Sequence, residues 1–172
     1  MSKKKPRENI WAPWRIEYIL GTKDEQKNSC IFCDRYPQKD DRRNLILHRG
    51  EKVFVIMNRF PYNSGHLMVV PYRHSGNILD LEDGENREIM SVIQLSIQVL
   101  HEVMLPDGFN VGMNLGRVSG AGVENHLHFH IVPRWNGDTN FMPVISDTKV
   151  VSEALDRTYD KLLAVFDSRR SR

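Results

Sequence analysis

Three histidines, His126, His128 and His130, alternate with Leu127, Phe129 and Ile131 in the run H-L-H-F-H-I-V-P-R of residues 126–134. An extended chain sends successive side chains to opposite faces. The run therefore predicts a strand with three imidazoles on one face and an apolar face against a core. Each buried ring has two nitrogens to satisfy, so three in register are an expensive way to build a purely structural strand. Such a row suits binding a metal, binding an anion, or bonding covalently from a ring nitrogen. Zinc held by the row itself is one alternative, though sites of that kind usually draw a further ligand from elsewhere.

Two other segments carry chemistry. Cys30 and Cys33 form C-I-F-C, the only cysteines of the chain. This spacing suits half a zinc site or a redox pair better than a structural disulfide. The redox reading needs a βαβ setting, whereas the motif sits in a polar N-terminal region; zinc is the favoured reading, provided two histidines complete the tetrahedron. The loop Asn114-Leu115-Gly116-Arg117-Val118-Ser119-Gly120-Ala121-Gly122 lies just ahead of the histidines. Its glycines let backbone N–H groups gather around an anion, although glycines in such a loop often only make the turn. Amides and imidazoles converging on one place would suit a phosphate.

The elements that must position these groups read as an α+β domain. Candidate strands are Leu45–His48, Val53–Asn58, His66–Pro71, Phe109–Leu115 and the histidine run, with Pro61, Asn63, Ser64 and Gly65 as a turn. A short turn or helix is expected at 31–36. A long helix from Leu81 or Glu82 to about Met104 places Ile89, Ile93, Ile97, Leu100 and Met104 on one face, and Pro106, Asp107 and Gly108 stop it. Met90, Val92, Leu95, Val99 and Val103 lie off that face. They suggest either deep packing or a helix that meets its twin in a homodimer. A last helix from about Val151 to Phe166 presents Val151, Leu155, Leu162 and Phe166.

The 172 residues, 40% of them hydrophobic, suit one core, with residues 1–28 as an N-terminal extension and 29–172 as a single domain. Lys and Arg total 24 against 22 Asp and Glu, so no broad basic field points to a nucleic-acid partner. Basic residues gather at the ends, Lys3, Lys4, Lys5 and Arg7, then Arg169, Arg170 and Arg172, as solvated tails do. No apolar run reaches the length of a membrane span and no apolar segment follows the first lysines. A soluble cytoplasmic protein is the expectation.

Taken together, these residues resemble the histidine-triad (HIT) nucleotide-binding proteins. The likeness rests on H-L-H-F-H-I-V at 126–132, C-I-F-C at 30–33, I-M-N-R at 56–59, S-G-H-L-M-V-V-P at 64–71, and Asn114 with its Gly-rich loop. It covers roughly residues 28 to 135, with a C-terminal extension from about 136. The flanks W-A-P-W-R at 11–15 and P-R-W-N-G-D-T-N-F at 133–141 resemble a bacterial subgroup containing diadenosine tetraphosphate phosphorylases. The resemblance implies an antiparallel sheet of about five strands with one long helix and a C-terminal helix. It implies attack by His128 on a nucleotide α-phosphate, giving a covalent nucleotidyl–histidine. His130 and His66 would flank the phosphoryl oxygens, with Asn114, Ser119 and the amides of Gly120, Ala121 and Gly122. Asn58 would face the ribose, and Ile31, Phe32 and Ile56 the purine. Cys30, Cys33, His74 and His126 would hold a structural zinc, with His48 a lesser candidate for the fourth ligand. A dinucleoside polyphosphate would be the substrate, phosphate or water the acceptor, and the chain a homodimer. Nucleoside phosphoramidates or aminoacyl-adenylates are alternative substrates, and a binding module with little turnover is an alternative class. One departure from the family stands out: Val123, Glu124 and Asn125 occupy a stretch where many relatives carry a phosphate-contacting Ser or Gln.

Overall fold

The computed structural model describes residues 30–138 and 153–170. Trp11, Trp14 and Val151 lie outside these residues.

Two runs of apolar and β-branched residues, Val53–Met57 (β2) and Leu67–Pro71 (β3), are buried at every position. Strands apolar on both faces must be covered on both, which places them at the centre of the sheet. They pair antiparallel from Val53↔Pro71 to Met57↔Leu67. Ile46–Arg49 (β1) flanks β2, Phe129–Arg134 (β5) flanks β3, and Gly108–Gly112 (β4) lies outside β5. The result is a five-stranded antiparallel sheet in the order β1-β2-β3-β5-β4.

Directly opposed residues share a face. The pairings Ile56↔Met68 and Met68↔His130 therefore put Ile56 and His130 on one side of the sheet. The helix Ile31–Arg35 (α1) and the following Tyr36 cover this side, with the Tyr36 ring 5.9 Å from Phe54 and Phe32 5.3 Å from His128. The opposite parity, which includes Val53, Val55, Leu67, Val69 and Ile131, takes the long helix Asp83–Met104 (α3), which packs across β2, β3 and β5.

Helix α3 starts where the Glu82 N–H donates to the Glu85 carboxylate at 2.9 Å, a capping contact. It ends at Leu105, in the left-handed region at φ 47°, whose N–H closes on the His101 carbonyl. Its buried face differs from the expected stripe. Ile89, Val92, Ile93, Ser96, Val99 and Leu100 are buried, while Ile97 and Met104 are only half-buried. Val92 and Val99, expected either in deep packing or against a twin helix, belong to the core, because the sheet covers a band wider than one heptad seam. Met90 is 57% exposed.

A short helix, Asp41–Asn44 (α2), leads into β1, its first turn capped by Asp40, which accepts from Arg43 N–H. The last helix, Leu155–Arg170 (α4), starts and ends later than expected and buries Tyr159, Leu162 and Phe166 against α3 and β1. The Tyr159 hydroxyl donates to the Ile46 carbonyl at 2.9 Å. Arg169, expected in a solvated tail, sits in this helix and pairs with Glu102 of α3.

The histidine strand is shorter than its pattern. Hydrogen-bonded pairing to β3 reaches Val69↔Phe129 and goes no further. At Pro71 the His126 ring, not a main-chain amide, meets the carbonyl, at 2.8 Å, while the Leu127 N–H turns to Ser75 O. With β5 starting only at Phe129, β4 finds no partner beyond Gly112↔His130 and stops there instead of running to Leu115.

Candidate active site and metal centre

Five rings follow one another across the α1 side of the sheet. Phe32 lies 5.3 Å from His128, His128 4.9 Å from His130, and His130 5.0 Å from His66. Tyr62 stacks on His66 at 4.8 Å and 25°. The turn from β2 to β3 delivers the last two. Asn58 N–H donates to the His66 carbonyl at 2.9 Å, and Asn58 Oδ1 accepts from Phe60 N–H at 2.9 Å. Gly65, at φ 75° and packed under Met104 and Leu100 of α3, allows the tight return into His66.

Hydrogen bonds set the ring tautomers, because an N–H can only donate. His128 Nδ1 lies 2.8 Å from the His126 carbonyl, so Nδ1 carries the proton and Nε2 keeps its lone pair. Burial lowers the His128 pKa below the ordinary histidine range, offset in part by that hydrogen bond. A neutral ring with an unprotonated nitrogen is the nucleophilic form. His66 Nδ1 accepts from the Tyr62 N–H at 3.1 Å, with Asn58 Nδ2 at 3.4 Å, so His66 is protonated at Nε2. That nitrogen lies 2.9 Å from His130 Nδ1, which must then accept, leaving the His130 proton on Nε2. A lone pair and an N–H donor thus sit on adjacent rings of one face.

Behind His128 lies a second cluster. Cys30, at the start of α1, and Cys33, within it, meet His74, from the segment after β3, and His126. His126 Nδ1 is 3.2 Å from Cys30 Sγ, 3.5 Å from Cys33 Sγ and 3.2 Å from His74 Nδ1; Cys33 Sγ is 3.3 Å from His74 Nδ1. Tetrahedral zinc bonds of ~2.0–2.3 Å imply ligand–ligand edges of roughly 3.3–3.8 Å. The four donors, all within 4.8 Å of one another, fit such an ion. The His126 Nε2–H donates to Pro71 O, which leaves Nδ1 as the lone-pair nitrogen facing the cluster, the orienting contact typical of a metal-bound imidazole. Burial, then the neighbouring Cys30, pushes the Cys33 thiol up to about 11, a repulsion that a dication would reverse. The sheet is antiparallel throughout, so the redox setting for C-I-F-C is absent from the described residues. His48 stands apart, stacked on Phe166 of α4.

The remaining expected site residues divide. Ile56 shares the sheet face of His130, and Ile31 is half-buried at the start of α1. Asn114 Nδ2 reaches the Gly120 carbonyl at 3.5 Å, tying the exit of β4 to the loop. The loop makes a 3₁₀ turn at Arg117–Ser119, where Gly120 N–H donates to Arg117 O and the Ser119 hydroxyl to Leu115 O and Gly116 O. Gly120 takes φ 88°, and the half-buried Ala121 and exposed Gly122 follow it toward His126. Glu124 is exposed, and its carbonyl abuts Gly76, where a Cβ would come within 2.5 Å.

Tyr62 and Gly76 escaped the sequence reading, and Asn63 was read only as part of a turn. Asn63 Nδ2 donates to Pro133 O and to Asp138, tying the turn to the end of β5. An aromatic residue inside a polar turn, Pro61-Tyr62-Asn63, was the one available signal.

Comparisons with known proteins agree with this geometry. The family model described as HIT domain matches residues 39–137. The AP-4-A phosphorylase of Mycobacterium tuberculosis is 41% identical over 162 residues, which is 91% of this chain and 83% of that protein. An uncharacterised HIT-like protein of Methanocaldococcus jannaschii is 34% identical over 113 residues, 63% of this chain and 81% of that one. Among solved structures, a Zn-bound histidine triad family protein from Mycobacterium smegmatis superposes with a TM-score of 0.66 at 25% identity, over 83% of this chain and 96% of that one.

Proposed function

The chain belongs to the HIT-domain family, and from that membership we propose that it is an enzyme of nucleotidyl transfer, cleaving a dinucleoside polyphosphate with inorganic phosphate as acceptor. The observation that carries this reading is the pair of adjacent rings, 4.9 Å apart, with His128 Nδ1 on the His126 carbonyl and His130 Nδ1 on His66 Nε2, which leaves each ring its Nε2 for substrate. His128 Nε2 attacks the α-phosphorus; a P–N bond forms as the bond to the leaving phosphate oxygen breaks. His130 donates to the oxygens that gain charge, and such preorganised donation is the main source of rate in phosphoryl-type transfer. Phosphate then attacks the nucleotidyl–histidine, the P–N bond breaks, and a nucleoside diphosphate leaves. Water in that role would give a monophosphate.

His66 acts through His130, whose tautomer it sets. Asn114, Ala121 and Gly122 line the approach to the phosphate, Ile31, Phe32 and Ile56 face the purine, and Asn58 lies toward the ribose. The kinship with an AP-4-A phosphorylase supports a diadenosine polyphosphate and phosphate as the reactants. Cys30, Cys33, His74 and His126 are proposed to hold one zinc ion, which would serve as a structural tie between α1 and the histidine segment. We read the protein as a homodimer, the exposed edge of β4 with Val111 and the nearby Leu105 and Leu115 offering the contact.

The test is turnover of diadenosine tetraphosphate with phosphate present and absent. ADP should form only with phosphate. His128→Asn should lower turnover by about a thousandfold or more, the size of a nucleophile deletion, while nucleotide affinity persists. Cleavage that survives the substitution would remove His128 as nucleophile. AMP formed without phosphate would make the enzyme a hydrolase, turnover of a nucleoside phosphoramidate alone would shift the substrate class, and binding without cleavage would leave a nucleotide-binding module.

A further inference from the structure

Tyr62 belongs to no part of the reaction as drawn, yet it touches the tautomer-setting end of the site twice. Its main-chain N–H donates to His66 Nδ1 at 3.1 Å. Its ring lies on the His66 ring, centroids 4.8 Å apart and planes 25° from parallel, and 5.8 Å from His130. It remains 38% exposed, more than a residue recruited only for the core would be.

We propose that Tyr62 is a positioning residue for the transfer, holding the His66 plane so that its Nδ1 meets the 62 N–H and its Nε2–H points at His130. The proposal rests on the nucleotidyl-transfer reading for its kinetic consequence, but its structural claim stands without it. An imidazole can rotate about its χ2 torsion or swap tautomers at small cost unless its plane and both nitrogens are constrained. The nitrogens of His66 are met by Tyr62 N–H on one side and His130 Nδ1 on the other. His66 itself is buried. The broad aromatic face of residue 62 keeps the plane aligned with both, a contact a small side chain could not make. If the plane is released, His66 can present a lone pair to His130, and His130 then turns its own proton away from the phosphate position. Tyr62 thus governs the donor state of His130 without touching substrate.

Two measurements on Tyr62→Ala, Tyr62→Leu and Tyr62→Phe test this. The first is the nitrogen-15 NMR of histidine-labelled protein without substrate, which distinguishes protonated from unprotonated ring nitrogens. Wild type and Tyr62→Phe should show His66 as a single Nε2–H tautomer, and the Ala and Leu variants a mixture. The second is steady-state kinetics on diadenosine tetraphosphate. Losing an aligned donor should cut kcat about tenfold or more in the Ala and Leu variants, with KM changed less than about twofold and the Phe variant near wild type. An unchanged His66 tautomer in the Ala and Leu variants would overturn the proposal. So would a rise in KM alone, which would mean that the ring contacts substrate. If wild-type protein failed to cleave the dinucleotide, the nucleotidyl-transfer reading would fall, and the NMR comparison would still decide the role of Tyr62. Leu keeps an apolar side chain of useful reach should Ala weaken the fold.

Discussion

His126 and His128 sit two residues apart and are turned to different tasks by one peptide unit. The carbonyl of His126 accepts from His128 Nδ1, while the His126 ring faces the thiols and His74. Whatever holds the His126 ring therefore also holds the acceptor that orients the His128 ring. The proposed metal is nevertheless testable by its content, without reference to catalysis. Purified protein should carry about one zinc per chain, as one four-ligand site requires. Cys30→Ser should lower that content severalfold and make unfolding insensitive to chelator. Metal-free wild-type protein isolated under reducing, chelator-free conditions would end the zinc assignment.

At the level of elements, the site is a seam between the β2–β3 turn, the end of β5 and the segments flanking Gly76 and Glu124. The Asp138 carboxylate anchors the first two, accepting from Arg134 Nε at 2.5 Å, from Asn63 Nδ2 at 2.8 Å and from Trp135 N–H at 3.3 Å. The Arg134 guanidinium, chiefly, holds its pKa well below the usual carboxylate range. A carboxylate whose pKa is depressed on folding adds stability above its unfolded pKa, near 3.8, and that stability is lost as the pH falls through the folded value. Chemical denaturation of wild type and Asp138→Asn at several pH values should show the variant less stable at pH 7. The gap should narrow steadily below about pH 4. A gap independent of pH would deny the carboxylate this role. The same seam explains why β5 is short: the His126 ring occupies the place of a ladder hydrogen bond.

For the whole molecule, the sheet has one closed side and one working side. Helix α3 seals the first, and α4 locks α3 to β1 through Tyr159, Phe166 and the Arg169–Glu102 pair. No described helix is long and apolar enough to cross a membrane. The outer edge of β4 has no described strand beside it, and unpaired edges invite pairing or need cover. Leu105, three residues ahead of β4, is 72% exposed, and Val111 within β4 is 46% exposed; two copies joining along that edge would bury Val111. Light scattering should give a mass of about twice 20.0 kDa, and Val111→Lys should shift it toward the monomer. A wild-type monomer at micromolar concentration would rule the dimer out.

The residue pattern alone determined the α+β class, the five strands, the long helix and the family, because period-2 and period-3.6 alternation and a rare histidine spacing are local properties of the chain. It also named Cys30, Cys33 and His74, the three residues that gather around His126, although that grouping came through family likeness and not from spacing. Which strand edges stop early, which side of α3 is buried, and the hand-off from Tyr62 through His66 to His130 were decided by tertiary structure. The setting of the His126 ring and the tautomer of His130 depend on partners 55 and 64 positions away, Pro71 and His66, and local periodicity carries no record of such meetings.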